Sequence, residues 1–412
     1  MTHVIGAAWH SALVSDRVAA AGPGLLDGLA FLGEVADELV VRTVRDTHLA
    51  WSRRVYAAVG RRTGGVAGVP RVVDHGIAGA VYAGIGVGMR GASLGLGAVA
   101  TTGRGPRLED SRAGRFLSRS VIGLVGDRLA RERPTLAWPM SMRLEGADVA
   151  PDRESLAAAY PSAGPDLVVF LPGLCEDETA WDRQADRHGT TYPTALAAAG
   201  WTPLMLRANT GLAVQDNGAL LAALLADVVG AWPVPVGRVA LVGHSMGGLV
   251  ARVACAVDAA GPASWSPLVT DVVTIGTPHL GAPLAGWARS GSAGLARLPE
   301  TSAFGRILDQ RSVGILDLER GLDLDAAPAL PHARMRLISG SVGSPGAPMA
   351  RLATRALGDL LVRQSSATGG GRLFPDADLL HVAGADHFSL LNHPDVRRAL
   401  LDWLDPGRHE DV

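Results

Sequence analysis

The amino-acid sequence predicts an α/β protein with a mostly parallel β-sheet and helices on both faces, preceded by a helical N-terminal region. From about residue 136, short apolar runs alternate with helical segments, and this alternation is typical of parallel sheets. Residues 1–133 instead show helical apolar spacing without a strand pattern. We therefore predict two domains, a helical appendage over 1–133 and an α/β domain over 134–412.

The individual elements follow from the spacing of apolar residues. Apolar residues that recur on one helical face predict helices, whereas short apolar runs predict buried strands. A segment without any strand pattern, 281–331, is predicted to be an insertion in the α/β domain. The predicted helices include 25–47, 49–59, 111–131 and 219–231, and the predicted strands are 136–143, 167–171, 203–206, 238–242, 271–275, 334–338 and 378–382.

The composition excludes some classes of protein. Lys and Arg total 38 against 40 Asp and Glu, so the formal net charge is −2 at pH 7. A protein that binds nucleic acid through a strongly basic surface is therefore not expected. The two cysteines, Cys175 and Cys255, are too few for a disulfide framework or a cysteine zinc site. We predict that they are small core residues, with a single bridge between them as the open alternative.

The sequence shows no targeting pattern. The first residues lack a basic region followed by an apolar run, so no signal peptide is predicted. Small residues recur at every fourth position in Gly76, Ala80, Gly84 and Gly88, which would let a helix pack closely on protein or in lipid. Flanking charges limit this helix to about 14 residues, or about 21 Å, which is too short to span a membrane. The predicted location is cytoplasmic, with the helical appendage packed on the α/β domain and peripheral membrane contact as an alternative.

A candidate nucleophile lies in the motif Gly243-x-Ser245-x-Gly247, directly after a predicted strand and before a helical segment. The sharp turn of a nucleophile elbow needs minimal side chains two residues on either side of the serine, and it lifts the hydroxyl above the sheet edge. The helix N-terminus also favours negative charge at this point. We predict that Ser245 is a nucleophile in an elbow formed by Gly243, His244 and Gly247.

A serine nucleophile needs a base, usually a histidine that a carboxylate holds in place. His387 follows the last predicted strand at the carboxyl edge of the sheet, where doubly wound sheets have their sites, and we predict that it is the base. Asp359 is the remaining candidate acid, although its spacing is equally typical of a solvated residue at a helix end. The other acids lie at the wrong sheet edge, beside His387 or in the insertion: Asp376, Asp378, Asp386, Asp309, Asp317, Asp323 and Asp325.

Acyl transfer also requires hydrogen-bond donors for the oxyanion. One expected donor is the backbone N–H of Met246, directly after the serine. The other is expected in the loop after the first central strand, where Gly173 permits a turn. We predict that the N–H of Leu174 is this second donor.

Four short motifs resemble those of α/β-hydrolase lipases and esterases, and more narrowly those of the GPI inositol-deacylase-like α/β domain and serine esterases of actinobacteria. The resemblance covers about residues 136–404 and implies the α/β-hydrolase fold for the catalytic domain. In that group the acid lies in a Gly-Asp-Gly-Leu-Val-Pro motif, which favours Asp359, although Leu360 and Arg363 depart from the pattern. Pro172 likewise replaces the usual histidine of the oxyanion motif. The motifs are Leu-Pro-Gly-Leu at 171–174, Gly-His-Ser-Met-Gly-Gly at 243–248, Gly-Thr-Pro-His-Leu-Gly at 276–281 and Gly-Ala-Asp-His at 384–387.

The predicted function is a serine hydrolase that cleaves carboxylic esters with a catalytic triad of Ser245, Asp359 and His387. His279 matches the family's Thr-Pro-His-x-Gly turn and is predicted to line or brace the site rather than act as the base. No metal or other cofactor is predicted. An acyltransferase that uses the same residues and a non-catalytic binding protein of the same fold stay open as alternatives.

The substrate prediction depends on the insertion. Its apolar residues are expected to form a cap over an acyl pocket, which favours lipid-like or medium-chain esters. No nucleic-acid partner is expected, and the sequence leaves the oligomeric state open. The apolar residues in question are Leu295, Leu298, Phe304, Ile307 and Leu308.

Overall fold

The structure is a computed structural model, and it divides the chain into two compact units, Met1–Ser118 and Arg119–Val412. Most of the described residues belong to the second unit. The predicted helices at 25–47 and 49–59 lie outside the described residues, and the predicted domain boundary at residue 133 stays a prediction. The described residues are 111–262, 264–282, 312–322, 327–342, 359 and 361–405, with isolated positions between 84 and 95.

One sheet forms the centre of the second unit. Its eight strands in the described chain are β1 (Ser141–Leu144), β2 (Ala147–Val149), β3 (Asp166–Leu171), β4 (Thr202–Arg207), β5 (Arg238–His244), β6 (Val269–Ile275), β7 (Arg334–Ser341) and β8 (Asp378–Ala383). They lie in the order β2-β1-β4-β3-β5-β6-β7-β8. The strands from β3 to β8 pair in parallel, whereas β1 pairs antiparallel with β2 and β4. The mostly parallel sheet predicted from the sequence is therefore confirmed.

The strand order changes direction at the centre of this sheet. After β3 the chain first adds β4 on one side and then β5 on the other, with both pairs parallel. In open α/β sheets such a switch point leaves a crevice at the carboxyl ends of the strands. The ends of β3 and β5 therefore mark the expected position of a site.

Helices connect most of the strands, as the alternating pattern predicts. The predicted helix at 111–131 is observed as α1, and the predicted helix at 219–231 is the second part of α5. The helices of the described chain are α1 (Arg112–Glu132), α2 (Arg153–Ala159), α3 (Ala185–His188), α4 (Tyr192–Ala198), α5 (Val214–Ala231), α6 (Met246–Ala259), α7 (Val313–Arg320), α8 (Gln364–Ala367) and α9 (Pro394–Trp403).

Two hydrophobic cores lie on opposite faces of the sheet. Successive side chains of a strand point to opposite faces, and β3 shows this directly: Val169 belongs to one core, and Val168 and Phe170 belong to the other. The first core is completed by α5 and α6, and the second by α4 and α9. Both faces are therefore buried, which explains why the central strands are almost continuous apolar runs.

The sheet edge at β1 differs from the prediction. The predicted strand at 136–143 is shorter at its start, where Pro134–Leu136 forms a 3₁₀ turn, and β2 was not predicted. Glu145 and Gly146 form a two-residue turn between β1 and β2, and both have positive φ, as type I′ hairpins require. β2 has only three residues, Ala-Asp-Val, with two exposed and one partly buried, so the sequence carries no apolar run that would predict it.

Ala282, near the start of the predicted insertion, contacts Leu318 farther along it, and we call the contact between these two residues the insertion neck. The N–H of Ala282 donates to the carbonyl of Leu318 in α7 at 2.8 Å. Gly281 approaches the Glu319 carbonyl so closely that a Cβ would overlap it. Gly281 and Ala282 therefore lie against the second half of α7.

The second half of α1 packs on the α/β domain. Val125 has a non-helical conformation within the helix, and nearby carbonyl groups accept hydrogen bonds from other segments. The Ser312 hydroxyl donates to the Gly123 carbonyl at 2.6 Å, and the Asn209 side-chain amide donates to the Gly126 carbonyl at 2.9 Å. These contacts make this part of α1 a component of the second unit.

The close approach at Gly126 generates a stability prediction. A Cβ there would overlap the Asn209 side chain, so Gly126→Ala should lower the free energy of unfolding by about 1–3 kcal/mol through overpacking. The matched control is Gly230→Ala in α5, where a Cβ meets nothing within 4 Å and alanine should add up to about 1 kcal/mol. Urea unfolding measures both, and a Gly126→Ala variant as stable as the wild type would contradict the packing of α1.

Candidate active site

The predicted nucleophile lies between β5 and α6. Ser245 follows the last residue of β5 and precedes Met246, the first residue of α6. Its φ of 51° and ψ of −119° form a backbone conformation that residues with a side chain rarely adopt. Its N–H donates to the carbonyl of Ile275 at the end of β6 at 2.8 Å. The turn therefore holds a strained, partly exposed serine at the carboxyl edge of the sheet.

The elbow is too tight for side chains at its two flanking glycines. A Cβ on Gly243 would overlap the backbone of Gly248, and a Cβ on Gly247 would overlap the carbonyl oxygen of Leu171 at the end of β3. Strand β5, helix α6 and the end of β3 therefore touch through their backbones. This contact is the physical reason for the glycine at both positions of the motif.

The structure brings the predicted base and acid together. His387 Nδ1 lies 2.7 Å from Asp359 Oδ2, and both side chains are buried. The N–H of His387 also donates to the Asp359 carbonyl at 3.0 Å. The second carboxylate oxygen accepts from the N–H groups of Leu361 and Val362, which fixes its orientation. An Nδ1–H held by the carboxylate leaves Nε2 of the imidazole as a proton acceptor.

Gly276, the first residue after β6, lies beside this pair and follows Ile275, whose carbonyl accepts the Ser245 N–H. Gly276 has a φ of 60°, and a Cβ there would lie 3.1 Å from the His387 ring and 3.2 Å from Asp359 Oδ2. The ring of His244, the residue before Ser245, lies 4.8 Å from the His387 ring between centroids. Ser245 and the pair of His387 and Asp359 therefore lie at the same edge of the sheet, and their action as a triad stays a prediction.

The predicted oxyanion loop passes directly beside the nucleophile. A Cβ on Gly173 would lie 3.0 Å from the Cβ of Ser245. Leu174 follows in a turn, where Cys175 has a φ of 57° and donates its N–H to the Thr210 hydroxyl at 3.2 Å. The loop after β3 is therefore placed where donors to an oxyanion would lie, and the assignment of the Leu174 and Met246 N–H groups stays a prediction.

His279 is fully buried beside the site. Its Nε2 lies 3.1 Å from the Thr274 hydroxyl and its Nδ1 lies 3.3 Å from the Arg252 guanidinium, while the ring packs on Phe374. Burial, together with the charge of Arg252, lowers the pKa of His279 to about 3, so the ring is neutral. Of the two roles predicted for His279, these contacts match bracing.

A second acid–histidine pair was missed by the sequence analysis. Glu176 Oε2 lies 2.8 Å from Nδ1 of His244, and both side chains are almost fully buried. His244 was predicted only as an elbow residue, and Glu176 was not considered. The signal in the sequence was weak: Glu176 and His244 are each a polar residue next to a segment that is buried in the fold.

The other potentially reactive side chains are the two cysteines and any groups that could bind a metal ion. Cys175 and Cys255 are both free, and burial raises their pKa values to about 11 and about 12, respectively. Their thiols are therefore protonated at neutral pH. Among the described residues there is no group of three or more His, Cys, Asp or Glu side chains arranged to hold a metal ion.

The fold and the site together define the class of protein. A parallel sheet with a switch point, a serine elbow after β5 and a histidine after β8 constitute the α/β-hydrolase fold, as the motifs implied. Within this class, residues 206–289 match the family model of the PGAP1-like alpha/beta domain. The match covers about a fifth of the chain, includes Ser245 and His279, and confirms the resemblance drawn from the motifs.

Several solved structures are similar to this chain at low identity. Lipase BlEst2 from Bacillus licheniformis is 24% identical, with 58% of this chain and 91% of that chain covered and a TM-score of 0.43. Esterase RhEst1 from Rhodococcus sp. ECU1013 is 16% identical, with 58% and 90% covered and a TM-score of 0.34. An esterase from Pyrococcus furiosus is 17% identical, with 59% and 82% covered and a TM-score of 0.37. No match was found among curated protein sequences.

The position of Gly276 generates a prediction about the reactivity of Ser245. Gly276→Ala places a methyl group against His387 and Asp359, so labelling of Ser245 by a fluorophosphonate should slow by about tenfold or more. Gly146→Ala is the matched control, because Gly146 also has positive φ but a Cβ there meets nothing within 4 Å. Both variants should lose about 1 kcal/mol of stability from backbone strain. Equal labelling rates in the two variants would contradict the proximity of Gly276 to the pair.

Proposed function

We propose that this protein is a serine hydrolase that cleaves carboxylic esters through an acyl-enzyme on Ser245. One observation carries the proposal: a strained serine at a strand-to-helix turn lies beside a buried histidine–carboxylate pair. A serine hydroxyl is a weak nucleophile and becomes effective when an oriented imidazole accepts its proton. The contacts of Asp359 leave Nε2 of His387 for this role.

In the proposed mechanism, the same groups act when the acyl-enzyme forms and again when water hydrolyses it. Nε2 of His387 accepts the Ser245 proton as the serine oxygen attacks the ester carbonyl carbon, and Asp359 stabilises the imidazolium that forms. The N–H groups of Leu174 and Met246 donate to the oxyanion of the tetrahedral intermediate. The imidazolium then gives its proton to the leaving alcohol, and the acyl group stays on the serine. Water attacks this acyl group in the same way, which releases the acid and restores the serine.

Lipid-like or medium-chain esters are the proposed substrate class. The apolar residues of the insertion, on which this proposal depends, lie outside the described residues. Within the described chain, Met246, the residue after the nucleophile, is part of the first core, and Leu174 packs against that core. Leu280, directly after His279, is 48% exposed and offers apolar surface near the insertion neck.

The cytoplasmic location and the packing of the helical appendage stay proposals. Of the helices in the described chain, α5 is the one long and apolar enough to cross a membrane. It packs on α6 and contributes side chains to the first core, as the core helix of a folded domain does. Gly84 and Gly88 of the small-residue series are helical, whereas Gly76 and Ala80 lie outside the described residues.

An acyltransferase would use the same residues, so the reaction products distinguish the two activities. With an ester substrate and an added alcohol, a hydrolase releases mainly the free acid, whereas an acyltransferase forms the new ester. A non-catalytic binding protein of this fold would show neither product and no covalent labelling of Ser245.

The nucleophile is tested by Ser245→Ala. This variant should lose all fluorophosphonate labelling and at least about 10³-fold of its activity towards p-nitrophenyl butyrate, because no acyl-enzyme can form. Its melting temperature should stay close to that of the wild type, since alanine can occupy the same turn. Near wild-type hydrolysis by the variant would reject the serine mechanism.

The acid is tested by a pair of Asp→Asn variants. Asp359→Asn should lower kcat by up to about 10⁴-fold, because an amide favours the wrong tautomer of His387. Asp317→Asn is the control: Asp317 was one of the alternative acids, but its carboxylate accepts the Val214 N–H at the start of α5 at 2.9 Å. It should change kcat by less than about threefold. A larger loss of kcat from Asp317→Asn than from Asp359→Asn would indicate that the catalytic acid lies in the predicted insertion.

A further inference from the structure

Glu176 and His244 form a buried pair beside the turn that carries Ser245. Glu176 follows the oxyanion loop after β3, and His244 is the last residue of β5. Glu176 Oε2 and His244 Nδ1 are 2.8 Å apart, with exposed fractions of 2% for Glu176 and 1% for His244. The mechanism proposed above makes no use of either side chain.

The contacts of this pair reach three separate parts of the site. The N–H of Gly173 in the oxyanion loop donates to the same Glu176 Oε2 at 2.8 Å. On the far side of the ring, His244 Nε2 lies 3.3 Å from the carbonyl oxygen of His387. His244 is also bonded through the backbone to Ser245. One hydrogen-bonded chain therefore connects the oxyanion loop, the nucleophile and the backbone of the base.

The charges of the pair agree with these contacts. Burial alone would raise the pKa of Glu176, but the charge and hydrogen bond of His244 and the Gly173 N–H lower it to about 2. Burial opposes the charged form of His244, yet the Glu176 carboxylate outweighs it and raises the pKa of the imidazole. Only a doubly protonated ring donates from both nitrogens, to Glu176 on one side and to the His387 carbonyl on the other.

Packing around Gly173 shows why the position of Glu176 matters for the site. A Cβ on Gly173 would lie 2.9 Å from Glu176 Oε2, 3.0 Å from the Cβ of Ser245 and 3.2 Å from His244 Nδ1. The oxyanion loop therefore lies against the serine and the pair at the same time. A shift of Glu176 would move the Gly173 backbone, and the following N–H of Leu174 with it.

We propose that Glu176 and His244 are positioning residues that hold the oxyanion loop, the nucleophile and His387 in one arrangement. This inference rests on the proposed ester hydrolysis. Neither side chain takes part in a bond-making step. Because oxyanion donors act on the transition state rather than on bound substrate, displacement of the loop should lower kcat more than it changes KM.

The experiment compares Glu176→Gln with the wild type. Glutamine keeps the size of the side chain but removes the charge, so a neutral His244 can donate from only one ring nitrogen. The kcat per active site, counted by fluorophosphonate titration, should fall about 10- to 100-fold, while KM changes less than about threefold. That fall is smaller than the 10² to 10³ typical of the loss of a complete oxyanion donor. Affinity for a trifluoromethyl ketone, whose serine adduct carries an oxyanion, should fall by a similar factor to kcat.

The control is Asp271→Asn, which makes the same chemical change elsewhere in the core. Asp271 is fully buried in β6 and pairs with Arg336 at 3.1 Å, away from the carboxyl edge of the sheet. Its variant should lower the melting temperature and leave kcat per titrated site within about twofold of the wild type. A merely structural role for Glu176 would give the same result for both variants.

A double-mutant cycle with His244→Asn tests whether the two residues act as one unit. Asparagine can still donate to Glu176 from the position of Nδ1 but cannot reach the His387 carbonyl. If the pair acts as proposed, the combined variant should lose less kcat than the product of the two single losses. Losses that multiply would show independent effects and overturn the paired role.

Besides losses that multiply in this cycle, three results would overturn the inference. The first is a Glu176→Gln variant with unchanged kcat per site and unchanged affinity for the ketone in an enzyme that depends on Ser245. The second is an equal loss in Asp271→Asn. If Glu176→Gln does not fold, the wild-type protein labelled with ¹⁵N-histidine provides the test. We expect His244 to show two protonated ring nitrogens at pH 7. A neutral His244 ring is the third overturning result. If the Ser245→Ala variant keeps its hydrolase activity, the proposed function is rejected, and this inference is rejected with it.

Discussion

Backbone contact at the end of β5 is the constraint on which the rest of the structure depends. Helix α6 starts so close to β5 and β3 that neither Gly243 nor Gly247 could carry a side chain. The strained conformation of Ser245 persists because the surrounding parallel strands determine it, with its N–H bonded to the end of β6. Both buried faces of the sheet supply the packing free energy that offsets this local strain.

Two acid–histidine pairs lie side by side at this edge, and their surroundings suit them to different tasks. In the pair of His387 and Asp359 the carboxylate binds Nδ1, and the proposed role of Nε2 is to accept the serine proton. The pair of His244 and Glu176 has both ring nitrogens engaged and both partners enclosed. The Glu176 carboxylate raises the pKa of His244 against the opposing effect of burial, and this favours an ion pair that can fix the backbone positions next to it.

The sequence predicted the parts of the fold that are encoded locally. Gly243, Ser245 and Gly247 are neighbours, so their motif carries the geometry of the turn. The central strands were predicted from their apolar runs, whereas β2 was missed because its three residues, interrupted by Asp148, leave no such run. Spacing alone left Asp359 ambiguous, because its approach to His387 depends on how two distant loops fold. Glu176 and His244 are 68 residues apart, and no local pattern connects them.

The insertion neck has a consequence for how this protein family can diversify. The entropy of closing a flexible loop grows only with the logarithm of its length, so each doubling costs about 0.6 kcal/mol. Ala282 and Leu318 are already joined by a hydrogen bond, and the sheet, the elbow and the triad residues are all held by contacts outside the segment between them. Ser312 and Asp317 lie between these two residues and bond to Gly123 and Val214, so it is the part before Ser312 that can change in length and sequence without breaking these contacts. Differences in length and sequence among related chains can therefore be concentrated in that part.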